Sequence, residues 1–338
     1  MAMSGRGWLR SRVWAERYAW GVVGYNVLVI VWGAMVRATG SGAGCGNHWP
    51  LCNGQVIPAS PGVHTVIEFT HRAMVSGATF AVLGLLVFVF RATSKGRVAR
   101  VAAVVSGVLL LNEALLGALL VKLGYVTDNQ SLGRVVVLAV HLSNTLLLLA
   151  ALTMTAVLLR SGQRLGSVLG SMASGRWRRL GPAVLGLGAT LVVGVSGSLA
   201  ALGDTLFPSA SLRSAMAADF AAGSPSLIKL RWVHPVSAVV AAVFVGWLVR
   251  RSWRRPDTGV LARAVAGLLG MQFLLGVADV LLLAPVWMQL LHLLGADLYW
   301  VALVALSATA VMVGNHRPGG GALAEELVAG GKAMLPLG

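Results

Sequence analysis

Residues 135–159 read VVVLAVHLSNTLLLLAALTMTAVLL, an unbroken apolar run with one ionisable side chain, His141. Wound as a helix at about 1.5 Å of rise per residue, such a run covers roughly 37 Å, more than the ~30 Å hydrocarbon core of a bilayer. Seven further runs of the same character occupy about residues 19–38, 64–90, 101–121, 180–201, 227–249, 260–283 and 286–313. The 338-residue chain as a whole is 57% hydrophobic and only 11% charged, too apolar for an ordinary soluble domain. The expected fold is an all-α integral membrane protein with eight transmembrane helices. The first run is too long for the apolar core of a signal peptide and leads into a Gly-rich stretch rather than a cleavage site, so it is expected to be retained.

The formal net charge of +16 raises the question of nucleic acid, and the placement of the charge answers it. Arginines and lysines precede the first run, fill the connections 91–100, 160–179 and 250–263, and recur at Arg317 and Lys332, all on one side of the eight crossings. By the positive-inside rule that side is cytoplasmic. The basic excess then orients the chain and attracts anionic lipid, so the bilayer is the partner and nucleic acid is not. The expected layout is a cytoplasmic segment 1–18, a first four-helix half 19–160, a cytoplasmic linker 161–179, a second half 180–313 and a cytoplasmic tail 314–338. Both termini are inside, and the expected location is the plasma (inner) membrane.

Cys45 and Cys52, the only two cysteines, fall in the first outer segment. In an oxidising compartment a disulfide between them is the natural reading, with free redox thiols as the rival. His48, Trp49 and Pro50 lie between them, so they form no C-x-x-C motif.

The two halves resemble one another. Glu113-Ala-Leu-Leu-Gly117 in the third run matches Gln272-Phe-Leu-Leu-Gly276 in the seventh, His141-Leu-Ser-Asn-Thr-Leu matches His292-Leu-Leu-Gly-Ala-Asp-Leu, and Val31-Trp-Gly33 matches Val195-Ser-Gly197 more weakly. Offsets of about 150–165 residues recur in all three, which predicts two pseudo-symmetric four-helix bundles. Gly77, Gly84, Gly117 and Gly276 are expected at close helix contacts.

His71, His141, His234 and His292 fall one each on the second, fourth, sixth and eighth runs, near the outer end of each. An ionisable group inside a membrane is costly and marks a functional site by default. Singly, each histidine can be explained as a hydrogen bond between helices. Four at one depth, two per half, suit pairs of axial ligands for a haem in each half. Zinc suits them less, since cysteine and carboxylate partners are not at hand for the histidines of the second half. Glu68 precedes His71 by three residues, on the same helix face, whereas Arg231 stands in that place before His234. One site therefore has a carboxylate beside it and suits proton-coupled chemistry; the other suits electron transfer alone. The alternative for Glu68 is a structural pairing with Arg72. Glu113, Asp279 and Asp297 are expected to pair between helices or to line a proton route; His48, His64 and His316 lie outside the layer and are not expected as ligands.

With these residues in view the chain resembles the haem A synthase family over about residues 20–313. The resemblance rests on Gly33-Ala-Met-Val-Arg37-Ala-Thr-Gly-Ser-Gly42, on Cys45…Trp49-Pro50-Leu-Cys52 with Gly54-Gln55 after it, on Glu68-x-x-His71-Arg72 and on the three later histidines. It implies an oxidoreductase of cytochrome oxidase assembly that converts haem O to haem A by successive hydroxylations of a ring methyl, using a bound haem b. It implies His71 and His141 as ligands of the substrate haem, His234 and His292 as ligands of haem b, Glu68 as the catalytic carboxylate, and a Cys45–Cys52 disulfide. Arg37 and Arg72 are implied as propionate contacts, with interfacial anchoring the alternative. The implied partners are a haem O synthase (a farnesyltransferase) and an electron donor of unknown identity, with a homo-oligomer also open. The chain lacks the second cysteine pair that some members carry in the segment matching 202–226, so a disulfide relay between the halves is not expected. The rival function is a membrane b-type cytochrome that carries haem or electrons.

Overall fold

The structure, a computed structural model, describes residues 5–161, 163 and 180–313. Most of the linker 161–179 and all of the tail 314–338 lie outside the described residues. Those described form ten α-helices: α1 (Gly5–Ala38), α2 (Val63–Ala92), α3 (Val98–Lys122), α4 (Leu132–Ser161), α5 (Gly181–Leu206), α6 (Leu212–Phe220), α7 (Ser226–Lys229), α8 (Val233–Ser252), α9 (Gly259–Leu281) and α10 (Val286–Val313). Eight stretches are long and apolar enough to cross a membrane, the sixth being Ser226–Ser252, which joins α7 to α8. The all-α fold and its eight spans follow the apolar runs within a few residues, with one larger difference at the start. There the helical span reaches back to Ser11. Ala15 and Ala19 are fully buried, and the Arg12 guanidinium donates to the Leu159 and Arg160 carbonyls at the end of α4, so this turn packs instead of fraying.

α1 and α2 are laced together by a ladder of side-chain donors. Tyr18 Oη donates to the Ala81 carbonyl at 3.0 Å, Tyr25 Oη to Met74 at 3.1 Å and Trp32 Nε1 to Ile67 at 3.0 Å. Donors rise by seven along α1 while acceptors fall by seven along α2, which is how two antiparallel helices in lasting contact must pair. Gly77 and Gly84 make room for it. A Cβ at either position would come within 2.5 Å of the Tyr25 or Tyr18 hydroxyl.

In the first half α1 packs on α2 and α4, and α3 packs on the same two helices; in the second, α5 and α9 both pack on α8 and α10. The halves meet where α4 touches α5 and α10, and where α1 touches α10. Trp300 Nε1 on α10 donates to the Leu146 carbonyl on α4 at 2.9 Å, and the Leu146 side chain covers Gly194 so closely that a Cβ there would stand 2.6 Å from it.

The segment 39–62 folds back over the first turn of α2. A Cβ on Gly44 would meet the His64 carbonyl at 2.4 Å, so only glycine fits. Thr65 Oγ1 donates to the Gly44 carbonyl at 2.8 Å and Ser41 Oγ pairs with His64 Nδ1 at 2.9 Å. Cys45 and Cys52 form a buried disulfide in this segment, deciding between disulfide and free thiols.

Candidate functional site

The four histidines lie on α2, α4, α8 and α10, each within about two and a half turns of the start of its span. Every one of them sits over a glycine of a neighbouring helix. A Cβ built on Gly33 of α1 would meet the His71 ring at 2.9 Å, and one on Gly197 of α5 would meet the His234 ring at 2.7 Å. A Cβ on Gly276 of α9 would stand 3.4 Å from His292, and one on Gly117 of α3 would stand 3.9 Å from His141. These are the glycines of the repeated sequence motifs. Their missing side chains let each imidazole lie against backbone.

His234 and His292 have ring centroids 6.3 Å apart at an interplanar angle of 83°. Two imidazoles that share one metal through nitrogens about 2 Å from it stand with ring centroids roughly 6 Å apart. His234 Nδ1 faces the Val193 carbonyl at 3.1 Å and Ser196 Oγ at 3.4 Å, which leaves Nε2 as the free nitrogen. The Nδ1 atoms of His71, His141 and His292 are buried without a hydrogen-bond partner. Buried polar atoms are satisfied as a rule, and exceptions mark sites that await a ligand or a small movement. Among the described residues no three His, Cys, Asp or Glu side chains converge as a protein-only metal cage requires. His234 and His292 stand as a facing pair, which suits a haem whose porphyrin supplies the remaining ligands.

Glu68 is buried, one turn before His71. Its Oε2 accepts from the Cys45 backbone N–H at 2.8 Å, and its Oε1 from Arg72 Nε at 3.1 Å. Arg72 also donates through Nη1 to the His48 and Leu51 carbonyls, so the Glu68–Arg72 pair fastens the disulfide segment onto α2. Arg37 reaches out of the first half, donating to the Ala201 carbonyl at 2.8 Å, Thr205 Oγ1 at 2.9 Å and Gln289 Oε1 at 2.9 Å. Both guanidiniums are thus engaged with protein acceptors at the histidine end of the bundle.

Three carboxylates that the sequence left between a structural and a proton-handling role take different places. Glu113 approaches His141, its Oε1 lying 3.5 Å from Nδ1. Asp297 is buried on α10 with one oxygen unpartnered, and Asp279 on α9 likewise has an unpartnered buried oxygen. Sequence reasoning missed the glycine seats as part of the site, although the repeat had aligned Gly33 with Gly197 and Gly117 with Gly276.

A family model described as "Cytochrome oxidase assembly protein" matches residues 16–304. A protoheme IX farnesyltransferase of Thermus thermophilus is 46% identical over 331 residues, which is 96% of this chain and 52% of that protein. A heme A synthase of Alkalihalophilus pseudofirmus is 36% identical over 133 residues, 39% of this chain and 42% of that protein. One of Halalkalibacterium halodurans is 43% identical over 93 residues, 27% and 31% of the two chains. The chain spans about half the length, or less, of these curated relatives. The family match runs through all eight spans and all four histidines, and the chain belongs to the cytochrome oxidase assembly protein family.

Proposed function

We propose that this chain is a haem A synthase: a membrane oxidoreductase that takes haem O and oxidises one ring methyl to a formyl group. The chemistry is two hydroxylations, by way of a hydroxymethyl group, and loss of water from the resulting gem-diol. The observation that carries the proposal is the set of four histidines at one depth, two per half, each seated on a glycine. His71 and His141 hold the substrate haem, and His234 and His292 hold haem b, whose iron supplies one-electron chemistry when bound. The two halves, 19–160 and 180–313, are pseudo-symmetric repeats. The basic connections orient both termini to the cytoplasm of a plasma (inner) membrane, with the histidine layer near the outer face. Arg37 and Arg72 add positive charge at that layer, where haem propionates are anionic. Each hydroxylation puts one oxygen atom into a C–H bond, a two-electron oxidation; with dioxygen as the oxidant, its second oxygen atom leaves as water at the expense of two protons and of two electrons from a donor partner.

The relative named for farnesyl transfer points to the preceding step, which supplies a farnesylated haem; nearly half of that protein's length lies outside the match and is free to carry it. One observation favours a second function, a b-type cytochrome without chemistry on its haem: Glu68 is already tied to Arg72 and to the Cys45 N–H. In the enzyme Glu68 takes or relays the proton released at the ring methyl. Glu68→Gln keeps the shape and removes proton exchange. In cells supplied with haem O, pigment extraction from this variant should recover haem O or its hydroxymethyl form in place of haem A, with haem b retained. Haem A at the wild-type level would make Glu68 structural, and no haem A even from the wild-type chain would favour the cytochrome.

A further inference from the structure

Resting on the ligand roles proposed above, we infer that Glu113 is the positioning residue of His141: its carboxylate accepts from Nδ1–H, turns Nε2 toward the iron and strengthens it as a donor. Glu113 Oε1 and His141 Nδ1 are 3.5 Å apart, within ion-pair reach though short of hydrogen-bond geometry. A movement of about 0.7 Å would close the gap to a charge-assisted bond.

The carboxylate is held in this direction from behind. Asn144 Nδ2 donates to Oε2 at 2.6 Å and the Thr145 hydroxyl donates to Oε1. Asn144 is itself fixed, since Asn112 Nδ2 donates to its Oδ1 at 2.8 Å and its own amide also reaches the Leu109 carbonyl at 2.9 Å. Asn144 and Thr145 are buried. Four polar side chains on α3 and α4 are costly in a membrane bundle, and of them Glu113 alone approaches the ring of a ligand histidine, the Thr145 hydroxyl lying against the His141 backbone carbonyl at 2.9 Å.

The second half is built otherwise. Gln272 occupies the place of Glu113 in the repeat, and its Nε2 is buried without a partner. The Nδ1 atom of His234 is served by a neutral carbonyl, that of Val193. Among the described residues the first half alone sets a carboxylate against a ligand histidine. An anionic acceptor behind a histidine makes it a stronger ligand and favours ferric over ferrous iron, so the two sites differ in potential although their ligands are alike.

The test uses the purified full chain reconstituted with haem b and titrated electrochemically. In a His234→Ala background the first half alone carries a bis-histidine haem, and adding Glu113→Gln should shift its ferric/ferrous equilibrium about tenfold toward ferrous, a rise of ~59 mV for one electron. An unchanged midpoint with haem bound would overturn the role of Glu113 and leave the ligand roles intact. If Glu113→Gln does not retain haem, the decision falls to chains with Glu113 in place. The haem left in His234→Ala should then titrate at a lower potential than the haem left in His71→Ala, and an equal or higher potential overturns the proposal. Failure of His234→Ala to take up any low-spin haem would overturn the ligand roles and this inference together.

Discussion

At the scale of single residues the glycine beneath each histidine makes a graded prediction. An added methyl at Gly197 would sit 2.7 Å from the His234 ring, and one at Gly117 would sit 3.9 Å from His141, which is ordinary van der Waals contact. Gly197→Ala should therefore displace its imidazole and weaken haem b retention by about 10- to 100-fold, the usual cost of disturbing the support of a metal ligand. Gly117→Ala should leave haem content unchanged. Haem titration of the two variants checks this, and equal effects would mean that the seats do not position the rings. The histidines were legible in the sequence because an ionisable group in an apolar run is costly and stands out. Their glycines were not, because glycine is common in membrane helices for packing alone. Glu68 and Arg72, four apart on one helix, could be paired from spacing. The approach of Glu113 to His141 could not, since it depends on how α3 and α4 are rotated against each other.

At the scale of elements, the tie between α1 and α2 rests on the Tyr18, Tyr25 and Trp32 ladder. Tyr25→Phe removes one rung and leaves the ring in place. It should cost about 1 kcal/mol of stability, in line with hydrogen bonds between membrane helices, while haem binding stays as in the parent. Unfolding in detergent mixtures measures the first effect, and an absorption spectrum the second. A cost near zero would mean that the Met74 carbonyl keeps only its helical partner in solution. The eight spans were readable from apolar length, which the bilayer dictates. The ladder escaped notice because Tyr and Trp near membrane interfaces need no partner to be explained. The early start of α1 also escaped, because Arg12 and Arg17 lower the apolarity of a turn that Ala15 and Ala19 nevertheless bury.

At the scale of the whole molecule, the same pairs of helices pack together within each half, and each half carries two histidines near the starts of their spans. The proposed repeat rests on short matched motifs, because Leu, Ala and Val replace one another freely on lipid-facing surfaces. What differs between the halves is polar: Glu68 and Glu113 in the first, Arg231 and Gln272 in the second. Arg231 there pairs with Asp204 at 2.7 Å and Asp219 at 2.8 Å, tying α5 and α6 to the segment between α7 and α8. The central claim is that the histidines work as two pairs, one per half, with haem b in the second. Haem b content and the low-spin b-type spectrum of the purified chain, compared with those of the four single His→Ala variants, test it most directly. As isolated, with no haem added, His234→Ala and His292→Ala should lack the spectrum, because the first half takes up haem b only when it is supplied in vitro, while His71→Ala and His141→Ala should retain it. Loss of haem b from His71→Ala with retention in His234→Ala would contradict the assignment of the halves, and retention in all four would contradict the pairs themselves.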